Sequence, residues 1–402
     1  MAEPHHVKGA PRRTIKNERR VPTTVMILAF IFVAGIGYVA GAINVGAIKS
    51  FGGLLGREDL DLSSVQQTYR ELKANFDGDI DDATLIEGAN KGMVDSLGDQ
   101  YTVFLNSKES TDFDNSLTGN IGGGIGVEVG TRNNQPTVVR VLQGNPAEKA
   151  GVQVSDVIVK VNDEDVKGWT TSEIVSKIRG EVDTTVKITM NRGGVEKDFT
   201  VTRATVNNPS AFGEIKNNVG VLTITRFDDN TASLARAVAR DFKDKGVKGV
   251  VLDLRGNGGG YVTAAQDVAG IWLNKQVVVT ERRGGTVTDE LKSGGDPILN
   301  GIPTVVLVNE SSASASEIVA GALRDHKVAK LVGETTFGKG SVQKLVNLTG
   351  GATLKVTIAR WYTPAGDNIS ETGIKPDTII LRTSDDINAG RDPQLDGAVN
   401  SF

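Results

Sequence analysis

Nineteen residues near the N-terminus, Val25 to Ile43, are almost wholly apolar, and no charged side chain interrupts the chain from Val21 to Ile48. About 20 such residues cross a bilayer core, so the pattern predicts a transmembrane helix. Downstream the apolar positions become periodic. Val65, Tyr69, Leu72 and Phe76 recur at helical spacing behind Ser63 or Ser64 as N-cap, and a second helix from Asp82 puts Leu85, Ile86, Ala89, Met93 and Leu97 on one face before Gly98. Residues 60–105 thus read as a small helical unit whose stripe must pack on a neighbouring domain or on a second subunit, as in a homodimer.

From residue 118 to 204 the pattern changes to short alternating runs. Asn145 is placed to cap a one-turn helix with Pro146 at its first position and Gly151 beyond its end. A longer helix starts at Thr171, and TVKITMNR and VEKDFTVTR flank Gly193 and Gly194 as a hairpin. These elements predict a compact β module. Gly122, Gly123, Gly124 and Gly126 allow a tight loop whose inward N–H groups form a nest for a carboxylate or phosphate, or simply a turn. From Val219 onward continuous apolar strands alternate with helices: VGVLTI, helix Thr231 to Lys245, GVVLDL, helix Val262 to Leu273, VVVTER, TVVLVN and helix Ala315 to Leu323. That order indicates a layered α/β domain. After residue 383 the chain turns polar, a short tail or last helix.

Charge gives the apolar segment a direction. The first 20 residues hold six basic and two acidic side chains, a net +4, so the remainder of a chain of net −4 carries −8. The positive-inside rule then leaves the N-terminus in the cytoplasm and everything after about residue 49 outside. A cleaved signal peptide is the alternative; its apolar core would span roughly 7 to 15 residues, and Ala40, Gly41 and Ala42 would suit cleavage. An acidic remainder disfavours a nucleic-acid partner. The absence of cysteine excludes thiol nucleophiles, disulfides and thiolate metal sites, and with His5 and His6 in the tail only His326 remains, too few imidazoles for a His-rich metal centre. No cofactor is expected.

Three constellations carry candidate chemistry. Arg255 to Gly260 (RGNGGG) lies between a strand and a helix but lacks the dinucleotide fingerprint, since Tyr261 stands where glycine is required; the glycines serve a plain turn or an oxyanion hole. Gly333 to Lys339 (GETTFGK) starts like a phosphate-binding loop, yet Gly340 replaces the magnesium-binding hydroxyl and SVQKLVNL and ATLKVTIARW alternate like strands. Ser311, Ser312, Ser314 and Ser316 precede a helix, where one serine suffices as cap. A serine nucleophile needs a base. His326 lies twelve residues past Ser314 along one predicted helix, about 18 Å at 1.5 Å per residue. A lysine is the alternative base, and Lys339 sits between two glycines. Its pKa would have to fall from ~10.4 toward ~7, by burial or a neighbouring positive charge.

These phrases, in this order, resemble the C-terminal processing peptidases, also called tail-specific proteases. The resemblance runs over roughly residues 60 to 383, through LIEGANKGMVDSLGDQYTVFL, GGGIGVEV, LDLRGNGGG, SSASASEIVAGAL, GETTFGKGSVQ, ARWYTPAG and GIKPD. With the segments already read, the chain is expected to be multidomain α+β: basic cytoplasmic tail 1–22, transmembrane anchor or signal 23–48, helical N-terminal unit 49–110 and C-terminal tail 385–402, with the resemblance implying a PDZ domain at 111–205 and a serine peptidase domain at 206–384 similar to the Clp protease and crotonase fold. The resemblance further implies Ser314 as nucleophile, Lys339 as base and Gln343 holding the amine, with the N–H groups of Gly258 and Ala315 as oxyanion donors. Ile125, Gly126 and Val127 would bind the carboxylate of a substrate's C-terminus. Asp325, implicated in some members, reads as structural. Lys339 and Gln343 would lie about 13 Å apart on a straight strand, so a turn at Gly340 or inward-leaning side chains must close the gap. The expected activity is that of a membrane-bound serine endopeptidase acting on proteins through their C-terminal tails; the alternative is a catalytically inactive PDZ scaffold.

Overall fold

The structure is a computed structural model that describes residues 60–120 and 122–402. The expected basic tail and membrane segment lie outside those residues; among the described ones no helix is long and apolar enough to cross a membrane. The described residues fall into two units, one ending at Asp82 and the other covering 83–402. In the first, α1 (Ser63–Asn75) carries the expected apolar stripe, and Lys73 and Tyr69 both reach Asp82, at 2.8 and 3.2 Å. Its cap differs from the expectation. The N-cap position is Leu62, while the Ser63 N–H donates to Asp61, so neither serine caps the helix.

The second unit opens with α2 (Asp82–Asp95), which shares its first residue with the other unit, and Gly98 at φ +66° then turns the chain. The helical reading ends too late here. Val103–Leu105 is a strand, β1, and α3 (Ser107–Thr118) follows without having been predicted. The N-cap Asn106 accepts from the Glu109 N–H while Glu109 accepts from the Asn106 N–H, a capping box, and Lys91 on α2 pairs with Glu109 at 3.1 Å.

The β module comprises β2 (Gly123–Gly124), β3 (Val127–Arg132), β4 (Gln135–Val141), α4 (Pro146–Lys149), β5 (Val157–Val161), β6 (Glu164–Asp165), α5 (Thr171–Ile178), β7 (Thr185–Arg192), β8 (Val195–Thr202) and β9 (Ala204–Thr205). The main sheet runs β3-β4-β5-β7-β8, leaving β3 as an edge strand. Its alternating inward residues, Val138, Ile158, Ile188 and Met190, close on Ile125 and on Ile174 of α5. Asn145 holds the N-cap position of α4 as expected, but its side chain donates instead to the carbonyls of Leu142, Gln143 and Asn207.

The remaining elements are β10 (Ala211–Lys216), β11 (Val219–Ile224), α6 (Thr231–Asp244), β12 (Gly249–Asp253), α7 (Val262–Ala269), β13 (Val277–Arg283), β14 (Thr286–Lys292), β15 (Thr304–Val308), α8 (Ala315–Asp325), β16 (Ala329–Gly333), β17 (Ser341–Asn347), β18 (Thr353–Tyr362), β19 (Thr378–Ile379), α9 (Ser384–Asn388) and α10 (Pro393–Val399). They build two sheets. In the order β10-β11-β12-β15-β16-β19, all pairings are parallel except that of the edge strand β10. Its strands are apolar on both faces because both are covered. Leu222, Leu252 and Val306 face α6, α7 and α8, and Val221, Val251 and Val305 face Ala398 and Val399 of α10. The second sheet is antiparallel, β1-β18-β13-β14 with β17 on β18. VVVTER, expected among the interleaved strands, belongs to this sheet as β13.

Candidate active site

β15 ends where the serine run begins, and the chain turns sharply into α8. Ser314 sits at the corner with φ +56° and ψ −115°, a backbone state that L-residues rarely adopt. The flanking serines have structural partners. Ser312 Oγ donates to the Leu254 carbonyl at 2.8 Å, and Ser316 Oγ donates to the Asn257 carbonyl at 2.8 Å. The Ser314 side chain takes the N-cap place of a capping box with Glu317, and it lines an open cleft of about 1210 Å³.

The glycine loop after β12 packs on this corner. A Cβ at Gly259 (φ +105°) would stand 2.8 Å from the Ser314 Cβ and from the Ala313 carbonyl, so glycine is required for the approach. Asn257, fully buried, fixes the loop: its Nδ2 donates to the Ile224 carbonyl, its Oδ1 accepts from the Gly259 N–H, and its own carbonyl accepts from the Ala313 N–H. Neither the Gly258 N–H nor the Ala315 N–H meets an acceptor among the described residues. Two free donors therefore flank the serine.

Lys339 comes from the segment between β16 and β17. A strand follows it, as the alternation predicts, and no helix opens there for a phosphate. The segment is tied to the serine corner by Glu317, a fully buried carboxylate in the first turn of α8. Its Oε2 accepts from the N–H groups of Ser314 (2.8 Å) and Lys339 (3.0 Å); its Oε1 accepts from Thr336 Oγ1 (2.5 Å) and the Gly338 N–H (2.8 Å). Burial pushes this carboxyl above its ordinary range, against the pull of those four donors.

The Lys339 ammonium lies 5.8 Å from the ring centre of Tyr101 and has no carboxylate within ion-pairing distance among the described residues. Burial first, and the Lys355 charge second, lower its pKa to about 8, while Glu317 opposes them. Both causes that a lysine base requires are thus present. Gln343 lines the same cleft. A register shift between Val342 and Gln343 re-aims β17, in place of a turn at Gly340. The Gln343 amide nitrogen donates to Ser341 Oγ at 2.7 Å and Thr357 Oγ1 at 3.4 Å, which leaves its Oε1 as the atom that could accept from the lysine amine. At the far end of α8, His326 Nε2 is 2.7 Å from the Val277 carbonyl, and Asp325 accepts from the Ala365 N–H. Both are outside the cleft.

Ile125, Gly126 and Val127 form a separate feature. The Ile125 and Gly126 carbonyls accept from Ala147 and Leu142, while their N–H groups meet no acceptor among the described residues. A Cβ at Gly126 (φ +81°) would stand 2.2 Å from that of Asn145. Beside these amides Val127, Val129, Val175, Ile178 and Val206 line a small apolar pocket of about 30 Å³ against α5.

Comparison with known proteins agrees with this architecture. The model of peptidase family S41 matches residues 218–380, that of a PDZ domain residues 123–202, and that of the activating protease CtpB N-terminal domain residues 46–109. The carboxy-terminal processing protease CtpA of Bacillus subtilis (strain 168) is 34% identical over 366 residues, 90% of this chain and 77% of that one. This chain belongs to peptidase family S41. A solved structure, the photosystem II D1 C-terminal processing protease, is 30% identical with a TM-score of 0.51, over 83% of this chain and 88% of its own. The protein is accordingly a C-terminal processing serine protease with a PDZ domain and an N-terminal helical domain. Reasoning from the sequence missed Glu317, Tyr101 and Lys355 in this S41 site. Glu317 reads there as an ordinary acidic residue of a first helical turn; only its place inside SASASE marks it.

Proposed function

We propose that proteolysis by this S41 protease uses Ser314 as nucleophile and Lys339 as its general base. The observation that carries the reading is Glu317, which binds the backbone of both residues and so couples the serine corner to the lysine segment. Uncharged Lys339 Nζ takes the Ser314 proton as Oγ attacks the peptide carbonyl carbon. The oxyanion accepts from the Gly258 and Ala315 N–H groups, donors fixed in place before the reaction. The lysine ammonium returns its proton to the leaving amine, and a water deprotonated by Lys339 releases the acyl group. The Gln343 Oε1, not engaged by Ser341 or Thr357, is free to accept from that ammonium.

In the same reading a substrate's terminal carboxylate accepts from the N–H groups of Ile125, Gly126 and Val127, its last side chain enters the apolar pocket, and its backbone pairs with the edge strand β3. Ser314→Ala should abolish cleavage of a tail-tagged protein yet leave binding of its C-terminal peptide intact, and amidating that C-terminus should weaken binding about tenfold or more. Cleavage by the variant, or equal binding of acid and amide, contradicts the respective assignment.

The apolar segment Val25 to Ile43 behind its basic tail supports a single-pass anchor in the cell membrane, with residues after about 49 on the extracytoplasmic side. A carbonate-washed membrane pellet should retain the full chain, and protease added to spheroplasts should digest it. Recovery in the soluble fraction or full protection would refute the anchor or its orientation.

A further inference from the structure

Two half-buried lysines share one cleft without a counter-ion. Lys355 and Leu345 are directly paired across β18 and β17, as are Thr357 and Gln343 two residues along, so all four side chains leave one face of the hairpin. Lys355, Gln343 and Leu345 line the cleft together with Ser314 and Lys339. The Lys355 ammonium lies 5.5 Å from the ring centre of Phe113 on α3, as that of Lys339 lies over Tyr101. Neither lysine has an acidic side chain within 4.0 Å among the described residues. An aromatic face stabilises a cation without neutralising it. No anion within ion-pairing distance therefore offsets either charge toward the other.

We infer that Lys355 is a positioning residue for the S41 reaction that acts through Lys339: its uncompensated ammonium disfavours a second positive charge in the cleft and so keeps the neighbouring amine free to take the serine proton. This rests on the reading of Lys339 as base. The other charged groups around the pair do not cancel the effect. Glu317 faces the backbone of Lys339 and opposes Lys355; burial lowers the pKa of Lys355 itself, and Asp99, in the loop before β1, acts to raise it. Tyr101 is held above its ordinary pKa by burial and by Glu317, Glu371 and Asp99, so it stays neutral beside Lys339. Of the cleft's remaining charges, Asp112 pairs with Lys108, Glu128 with Arg140, Arg226 with Asp228, and Arg255 with Asp253 and Asp392. Arg179 adds a further positive charge at the rim.

The sign follows directly. Lys339 works uncharged, so kcat/KM rises with pH through its pKa of about 8 and then levels. Removing a positive neighbour makes protonation easier, which raises that pKa and moves the acid limb upward. Both lysines line one cleft and the Lys355 charge lowers the Lys339 pKa, so losing that charge is expected to shift it by about one pH unit. The full chain in detergent micelles, assayed on a tail-tagged protein from pH 6 to 10, tests this. Lys355→Met, which keeps the stem over Phe113, should move the limb up by about one pH unit, cut kcat/KM about tenfold at pH 7 and approach wild type above pH 9.5; Lys355→Arg should keep the wild-type limb. Lys355→Gln carries the same expectation as Met if the latter misfolds. Activity lost evenly at every pH, or a raised KM with the limb in place, overturns the inference and makes Lys355 a packing or substrate-binding group. A wild-type profile without an acid limb, or cleavage by Lys339→Ala, instead refutes the base itself.

Discussion

At pH 7 a lysine of ordinary pKa ~10.4 is uncharged in about four molecules of ten thousand, and one of pKa about 8 in about one of ten. The lowered pKa of Lys339, from burial first and the Lys355 charge second, is thus worth more than two orders of magnitude in competent enzyme, provided the amine also stands where the serine is. Glu317 supplies that second condition, at some electrostatic cost to the first, because its charge favours the protonated lysine. Its value must therefore lie in geometry. Glu317→Gln keeps the volume but turns one acceptor oxygen into an NH₂ facing N–H or hydroxyl donors. We expect kcat to fall at least tenfold and stability to fall by about 1–3 kcal/mol, the cost of leaving a buried polar group unmade. Steady-state kinetics beside urea unfolding measures both, and an unchanged kcat would show that the lysine segment holds itself in place. The sequence displayed Ser314, Lys339 and Gln343 through the phrases that surround them. It could not display Glu317, because nothing local separates a carboxylate that binds its own helix end from one that reaches across to another segment.

Elements were legible where one apolar period dominated. Both faces of β11, β12 and β15 are buried, and their unbroken apolar runs say so; the β7–β8 hairpin is announced by Gly193 and Gly194, at φ +61° and +89°. α3 was missed because its twelve residues offer only Phe113 and Leu117 as large apolar side chains. The signal that would have found it is Asn106 with Glu109 three residues on, the capping box that the structure contains. β1 was absorbed into the preceding helices because three residues are too few to show a period. Its partner, Thr353–Leu354–Lys355 on β18, lies some 250 residues away, and no local pattern records such a pairing. These two missed elements are also the ones that bring Tyr101 and Phe113 to the lysines. The site's aromatic wall was therefore hidden for the same reason.

Across the whole described chain, the least expected connection is between its last helix and the glycine loop. Arg255 opens that loop and is nearly buried; it donates to Asp253 on its own strand and to Asp392 and Gln394 at the start of α10, 137 and 139 residues on. Asp392 also caps α10 by accepting from the Leu395 N–H. One carboxylate thus fastens the final helix and braces the loop that carries Gly258. The match to the S41 model ends at residue 380, so this brace lies beyond it. Asp392→Asn should lower kcat about tenfold by loosening the free Gly258 donor, while KM and binding of a C-terminal peptide stay as they are, since the PDZ pocket is not touched. Leu395→Ala separates this from simple loss of packing: it weakens the cover that α10 gives the sheet, lowering the melting temperature, but leaves the Arg255 contacts in place and should retain kcat at 20 °C. If both variants lose activity in proportion to their melting temperatures, the helix serves only as cover. If Asp392→Asn alone loses turnover, the far end of the chain takes part in placing the oxyanion donor.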